Sequence, residues 1–324
     1  MADLIKVGVV GTGALGRHHA RLYAQNPNAE VVGIYDANTE SAQKVGSEFN
    51  LPVFTDLDQL AAQCDAFSVA VPATYHAQVV LGLLAKGKHV LVEKPIAVTA
   101  DEARAMVEAA KKGNLVFGVG HTERFSPSTD FLDKFSGRTR FVEARRFAAY
   151  PPARPGLHRR GTEVSVTLDL MVHDIDLVLH TIDSEVVDID VCGTPVLSDS
   201  NDVVSVRLKF ADGSRANLTA SRVSGTPERT LKVFKEDCFL SLDYAQHCGT
   251  VSSVKDGEVV TEEFKFEEKN ALAAELDDFI RAVAASRASG KVQETAVTGI
   301  HGLRALELAI RIDEAAAEFR KQLK

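Results

Sequence analysis

The sequence predicts an α/β protein in which an N-terminal Rossmann-type parallel sheet precedes a C-terminal α/β domain with an open, mainly antiparallel sheet. Strand and helix patterns alternate over the first third of the 324 residues, which is typical of a parallel sheet with helices on both faces. Further on, strand patterns follow one another directly, and Asp212-Gly213 and Asp256-Gly257 are hairpin turn signals. We therefore expect one domain over residues 1–122 and a second over residues 123–324, with the C-terminal helix packing back on the first.

The strands of the first domain are predicted as short apolar runs that end at turn residues, as buried parallel strands do. They cover residues 7–10, 29–35, 53–54, 66–71, 89–92 and 115–119. Helices are predicted between them over residues 15–25, 56–63 and 74–85. Thr99 opens another helix, because Glu102 follows at the spacing of a capping box.

The strands of the second domain alternate in polarity. Val204, Val206 and Leu208 are separated by polar residues, which predicts a sheet with one apolar and one polar face. The predicted strands cover residues 140–149, 186–193, 203–210, 215–223, 230–234, 239–242, 251–254 and 259–266. The last fifty-odd residues are predicted to be helical, with an amphipathic stretch over residues 302–319.

Composition excludes several classes of protein. The net charge of −8 argues against generic binding to nucleic acid or an anionic membrane. No apolar run approaches the length of a membrane span, and the first strand begins too early for a signal peptide. The four cysteines lack metal-ligand spacing and are too few for a disulfide framework in a chain of this length. We expect a cytoplasmic protein.

A glycine-rich turn is the strongest functional motif. The segment Gly11-Thr12-Gly13-Ala14-Leu15-Gly16 follows a strand and opens a helix, and Asp36 ends the next strand. Such a turn brings backbone N–H groups and the helix N-terminus to a pyrophosphate, and the carboxylate binds a ribose 2′-OH. No arginine follows Asp36 to accept a 2′-phosphate, so these residues predict NAD rather than NADP.

Further candidate residues follow the ends of other strands of the parallel sheet. Pro72, Glu93-Lys94-Pro95 and Gly120-His121 lie there, and ligands of open α/β sheets bind at the carboxyl ends of the strands. A partly desolvated lysine beside a cationic nicotinamide is suited to exchange a proton with a substrate hydroxyl. A solvent-facing lysine at a strand end is the alternative for Lys94.

A second cluster lies on a predicted helix that includes residues 167–176. Asp169 and His173 are four residues apart and share one face, and Asp176 lies near the same stripe. A carboxylate can orient a histidine for proton transfer. A surface helix with local ion pairs is the alternative, and we expect no metal, because a third and fourth ligand are not evident.

Arginine is concentrated over residues 138–160. Seven arginines against one glutamate give this segment a charge of +6 within an acidic chain. Guanidinium groups bind phosphate bidentately, so the segment predicts a phosphate or diphosphate ligand, with Arg159 and Arg160 as candidates. His121 and Arg124 add polar groups at the end of the sixth strand. Pairing of these arginines with acids on a polar sheet face is the alternative.

Taken in order and spacing, the glycine turn, Glu93-Lys94-Pro95 and the Asp169-x-x-x-His173 helix resemble the glucose–fructose oxidoreductase / myo-inositol dehydrogenase family over nearly the whole chain. The resemblance implies a nicotinamide cofactor, oxidation or reduction of a sugar or cyclitol hydroxyl, and homo-dimers or homo-tetramers formed through the open sheet. It also implies that Lys94, Asp169 and His173 are the catalytic set.

The same resemblance places Pro72, His76 and Glu93 with the cofactor. It is strongest to the branch that acts on UDP-N-acetylglucosamine and similar nucleotide sugars, where oxidation at C3 gives a 3-keto sugar. Two alternatives stay open at this point. One is a dehydrogenase of a free sugar or cyclitol such as inositol, and the other is a non-catalytic NAD-binding regulator.

Overall fold

The computed structural model describes residues 4–152, 162 and 164–322. The chain forms two compact units, one made of Met1–Phe125 with Asn270–Arg304 and the other of Ser126–Lys269 with Ala305–Lys324. The first division of the chain lies three residues after the expected boundary at residue 122. The expected second domain is itself divided, because residues 270–304 belong to the first unit.

The first unit contains a six-stranded, all-parallel sheet in the order β3-β2-β1-β4-β5-β6. This order is that of a Rossmann fold and confirms the predicted fold class. The strands are β1 (Ile5–Val10), β2 (Ala29–Tyr35), β3 (Val53–Phe54), β4 (Ala66–Val69), β5 (His89–Glu93) and β6 (Phe117–Gly120). Each is nearly continuous in apolar residues because both faces of the sheet are covered.

Helices connect these strands. They are α1 (Ala14–Gln25), α2 (Thr39–Phe49), α3 (Leu57–Ala61), α4 (His76–Ala85) and α5 (Ala100–Gly113). The predicted capping box is present, since the Thr99 side chain accepts a hydrogen bond from the Glu102 amide and the Glu102 carboxylate accepts one from the Thr99 amide. Asn114 ends α5 in the left-handed conformation.

The first unit is completed by a helix from the far end of the chain. Helix α8 (Ala271–Ser289) follows the second unit in sequence. Its residues Leu276 and Phe279 are 1% exposed or less and share one apolar core with Val7 and Val9 of β1. A helix remote in sequence therefore helps to cover the central strand of the parallel sheet.

The second unit contains an eight-stranded sheet in the order β14-β13-β12-β11-β7-β10-β9-β8. All neighbouring strands are antiparallel except β7 and β10, which are parallel. The strands are β7 (Thr139–Phe147), β8 (Val186–Thr194), β9 (Val203–Phe210), β10 (Arg215–Ser221), β11 (Glu228–Lys235), β12 (Cys238–Asp243), β13 (Cys248–Lys255) and β14 (Glu258–Lys265). The prediction of a mainly antiparallel sheet is confirmed.

Helices cover one face of this sheet. They are α6 (Pro127–Leu132), α7 (Val172–Thr181) and the main part of α9 (Gly299–Gln322). Ile175 of α7 and Ile312 of α9 are fully buried in the core that contains Val206 and Leu208. At the predicted hairpin turn Asp256-Gly257 both residues have positive φ (53° and 83°), as a two-residue turn of that kind requires.

Within the described part of the chain, no helix has both the length and the apolar composition needed to cross a membrane.

Candidate active site

The glycine turn after β1 has the local geometry that its motif predicts. Gly11 has φ +92°, and its amide donates to Tyr35 O (2.8 Å). A Cβ on Gly16 would lie 1.9 Å from Gly11 O, so only glycine lets α1 approach this turn. A Cβ on Gly13 would meet nothing within 4 Å. The space above Gly13, at the N-terminus of α1, is therefore open to a pyrophosphate.

Asp36 lies at the end of β2, beside this turn. Its Oδ2 accepts hydrogen bonds from the Thr12 amide (2.6 Å) and hydroxyl (2.9 Å), and its Oδ1 accepts one from the Asn38 amide (2.8 Å). These bonds fix the carboxylate next to the glycine turn, where it suits a ribose hydroxyl and repels a 2′-phosphate. The open cradle and the fixed carboxylate fit NAD.

Lys94 follows the last residue of β5 on the edge of the sheet that bears the glycine turn. Strands β1, β4 and β5 pair side by side and in parallel, so their carboxyl ends share one edge. Pro72 is exposed just after β4, Lys94 is half-buried, and His121 is buried (1% exposed) just after β6. The structure thus brings these predicted residues to one edge of one sheet.

His76 is buried beneath two loops of this edge. One ring nitrogen, Nδ1, lies 2.9 Å from Pro95 O and the other, Nε2, lies 3.0 Å from Val71 O. Burial lowers the pKa of His76, and the two carbonyl contacts and Glu93 oppose that shift. The imidazole therefore links the loop after β4 to the Lys94 loop, and its role at the cofactor stays a prediction.

Glu93, the residue before Lys94, belongs to a buried polar cluster whose other members, His19 and Glu275, the sequence analysis did not identify. His19 Nε2 donates to Glu93 Oε1 (3.0 Å), and its Nδ1 lies 2.6 Å from Ser68 Oγ. One ligand-type atom each of His19, Glu93 and Glu275 lies within 4.8 Å of the others. The signal for Glu275 was its place on the apolar stripe of α8, one residue before Leu276 and four before Phe279.

The turn after β6 carries the other predicted substrate residues of the first unit. Thr122–Phe125 form a 3₁₀ turn, and Arg124 is half-buried within it. It contacts α8. His121 and Arg124 therefore belong to a well-packed turn rather than to an open loop.

The second unit holds Asp169 and His173 on a helix that begins irregularly. Thr167–Met171 are in π-helical conformation and continue into α7. Asp169 lies in the π turn, His173 in the first turn of α7, and both side chains are half-buried. Single π turns inside helices occur frequently at functional sites. The sequence analysis predicted the helix but not its π turn.

The arginine-rich segment is largely neutralised where the structure describes it. Its four described members each face an acid: Arg138–Asp212 (3.1 Å), Arg140–Glu236, Arg145–Glu143 (3.0 Å) and Arg146–Asp174 (2.9 Å). This favours the alternative of arginines paired with acids for those four. Arg159 and Arg160, the candidates for a phosphate, lie outside the described residues, as does Arg154.

Two family models match the chain. The model described as an oxidoreductase family with an NAD-binding Rossmann fold (GFO_IDH_MocA) matches residues 5–121, and the GFO/IDH/MocA C-terminal domain matches residues 131–238. Together the matched ranges include the glycine turn, Lys94, Asp169 and His173.

The chain is also similar to individual dehydrogenases over its whole length. It is 33% identical to UDP-N-acetylglucosamine 3-dehydrogenase of Acidithiobacillus ferrooxidans, covering 97% of this chain and 98% of that protein. A solved structure of the enzyme of that name and organism superposes with a TM-score of 0.89 at 32% identity, covering 97% and 98%. Inositol 2-dehydrogenase of Rhizobium meliloti is 25% identical, covering 98% of each chain.

Proposed function

The chain belongs to the GFO/IDH/MocA family of oxidoreductases with an NAD-binding Rossmann fold, and we propose that it oxidises C3 of UDP-N-acetylglucosamine or of a related nucleotide sugar. The observation that carries the proposal is the position of Lys94. It follows β5 on the sheet edge that bears the glycine turn and Asp36. The full-length similarity to a UDP-N-acetylglucosamine 3-dehydrogenase supports the choice of substrate class.

The chain's own residues hold the cofactor and move one proton. When bound, NAD would accept a hydride from the carbinol carbon of the substrate. The glycine turn holds the pyrophosphate and Asp36 the ribose. Lys94 or His173 takes the hydroxyl proton, and Asp169 orients and polarises that pair. Proton transfer by a positioned side chain contributes about 10²- to 10⁴-fold to a rate.

Replacement of Lys94 tests the catalytic assignment. Lys94→Met keeps most of the aliphatic stem and removes the amine, so we expect turnover to fall by about 10²-fold or more with little change in NAD affinity. Lys112→Met, on the exposed last turn of α5, is the matched control and should leave turnover unchanged. Near-normal turnover of Lys94→Met would refute the assignment.

A free cyclitol is the second candidate substrate. Four arginines of residues 138–160 already face acids, and an inositol dehydrogenase is among the full-length relatives. A panel of UDP-N-acetylglucosamine, N-acetylglucosamine and myo-inositol, followed by nicotinamide absorbance, separates the two. Oxidation of inositol alone would refute the nucleotide-sugar proposal.

The arginines outside the described residues provide a sharper test. We expect Arg159→Ala with Arg160→Ala to raise the KM for a nucleotide sugar at least tenfold, about the value of one charge-assisted phosphate contact. Arg140→Ala is the matched control from the same segment, because Arg140 already faces Glu236. Equal effects of the two changes would contradict a phosphate role for Arg159 and Arg160.

An assembly through the open face of the eight-stranded sheet is part of the proposal. Phe141, Phe234 and Phe239 lie on the face opposite the core, with ring centroids 5.3 Å and 4.4 Å apart. Light scattering should give a homo-dimer or homo-tetramer of the 35.0 kDa chain. Phe239→Glu should lower the measured mass, and a wild-type monomer would refute the assembly.

We assign the protein to the cytoplasm as part of the same proposal. All four cysteines lie within the described residues and are free thiols, as a reducing compartment favours. Cell fractionation with an antibody against the chain tests this assignment, and recovery from a secreted fraction would contradict it.

A further inference from the structure

Two carboxyl groups lie in one buried site beneath the Lys94 loop. Glu93, the last residue of β5, is 5% exposed, and Glu275 of α8 is 1% exposed. One oxygen of each lies within 4.8 Å of the other and of one ring nitrogen of His19. Among the described residues, neither oxygen of Glu275 has a hydrogen-bond partner of normal geometry. An ionised carboxylate in such a place costs several kcal/mol.

The groups that face this site shift the pKa values of the two carboxyls in opposite directions. Glu93 faces His19 directly, and Lys94 and His76 also act on its charge, so its pKa is held below the usual range although burial opposes this. For Glu275, burial raises the pKa well above the usual range, the charges of Glu93 and Asp278 add to the rise, and the nearby Thr122 hydroxyl opposes it.

The remaining polar neighbours are neutral. Tyr23 of α1 is fully buried, and burial raises the pKa of its hydroxyl above the usual range, so the side chain stays a neutral phenol. Ser68 of β4 contacts His19. Among the described residues, the ring N–H of His19 is thus used by Glu93, and the groups nearest to Glu275 carry no positive charge that would favour its ionised form.

We propose that Glu93 and Glu275 form a one-proton carboxyl pair, in which Glu275 holds the proton and Glu93 holds the single negative charge that faces Lys94. Two carboxyls at close range in a dry site do not both ionise. The pair acts through Lys94 as a positioning and charge-setting element, a role that rests on the proposed function of Lys94. The proton itself does not depend on that function.

Infrared spectroscopy tests the proton directly. In protein labelled with ¹³C-glutamate, the C=O band of a protonated carboxyl should be present at neutral pH and vanish in Glu275→Gln. It should persist in Glu294→Gln, a matched change on an exposed glutamate of the same unit. In Glu93→Gln the band should disappear at lower pH, because the negative charge that opposes ionisation is gone. Absence of the band from the wild type would overturn the proposal without any variant.

Elemental analysis tests the alternative that a metal ion, rather than a shared proton, is bound by these three side chains. One histidine and two carboxylates are a ligand set that a divalent cation uses. We expect no stoichiometric metal in the purified NAD-loaded protein, since His19 and Glu93 already satisfy each other. One equivalent of metal that is lost in Glu275→Gln would overturn the shared proton.

The pH dependence of kcat/KM tests the effect on Lys94. Glu93→Gln removes the negative charge that faces Lys94, so we expect its pH profile of kcat/KM to differ from that of the wild type. Glu275→Gln keeps that charge and should leave the profile unchanged. An unchanged profile in Glu93→Gln overturns the positioning role, whereas activity retained by Lys94→Met would refute the proposed function and leave the infrared result standing.

Discussion

Glu275 should make the folded chain less stable as pH rises. Its carboxyl is buried, neither of its oxygens has a hydrogen-bond partner among the described residues, and the folded state raises its pKa well above the usual range. Above the ordinary glutamate pKa the folded state therefore keeps a proton that the unfolded state releases. Stability then changes by −2.303RT for each pH unit, about 1.4 kcal/mol lost per unit for one proton, and this loss continues up to the folded-state pKa.

Glu275→Gln removes this dependence while keeping the shape of the neutral acid. The variant should gain stability relative to wild type with rising pH, by about 1.4 kcal/mol per unit and about 2.7 kcal/mol over two units. Urea unfolding at constant NAD, from about pH 5.5 to about pH 8, measures the difference and cancels the other titrating groups. Glu294→Gln, which changes an exposed glutamate, should show no such slope.

A flat difference between wild type and Glu275→Gln across this range would refute the reasoning. It would mean that Glu275 is ionised in the folded state and has found a compensating charge.

Three further results are expected. Asp36→Ser with Asn38→Arg should shift cofactor preference toward NADP, and unchanged selectivity in the ratio of the two kcat/KM values would exclude Asp36 as the selector. Gly16→Ala should lower the melting temperature, because its Cβ would lie 1.9 Å from a backbone carbonyl oxygen. Gly13→Ala, whose Cβ would meet no atom within 4 Å, should keep the melting temperature and weaken NAD binding in titration calorimetry. Equal melting temperatures of the two variants would contradict the close approach at Gly16. Arg222→Ala should cost about 3–5 kcal/mol in urea unfolding, because it leaves a fully buried carboxylate without its ion pair; a loss below about 1 kcal/mol, the level of a surface pair, would contradict that role.

The parallel sheet was predictable because its signals are local. The run at residues 29–35 is apolar from Val31 to Tyr35 and ends at Asp36, and β2 has the predicted bounds. The spacing of Thr99 and Glu102 predicted a capping box that is present. In the second unit, turn chemistry at Asp256-Gly257 needs only two residues to specify a hairpin.

The remaining features depend on contacts between distant segments. The charge of the arginine-rich segment predicted an anion, but acids at residues 174, 212 and 236 neutralise three of its members. No local pattern brings those positions together. The π turn at Thr167–Met171 likewise has no signal in apolar periodicity, since one extra residue in a turn is set by packing.

Glu275 shows the same limit for the site. A glutamate on a helix is ordinarily a solvated residue, and only its place on the apolar stripe of α8 marked it as unusual. Its neighbour Glu93 is 182 residues away in the sequence. The pair therefore depends on the fold, whereas the glycine turn and Asp36 are readable within a single βαβ unit.

The return of α8 to the parallel sheet determines the order of events during synthesis. The six strands and first five helices emerge from the ribosome by residue 120, but their core lacks Leu276 and Phe279 until the chain has passed the whole eight-stranded sheet. Until then Val7 and Val9 of the central strand have an apolar face without its final cover. The nucleotide-binding half of this chain is thus begun first and finished last, and a nascent chain halted before residue 270 lacks part of the cover of its central strand.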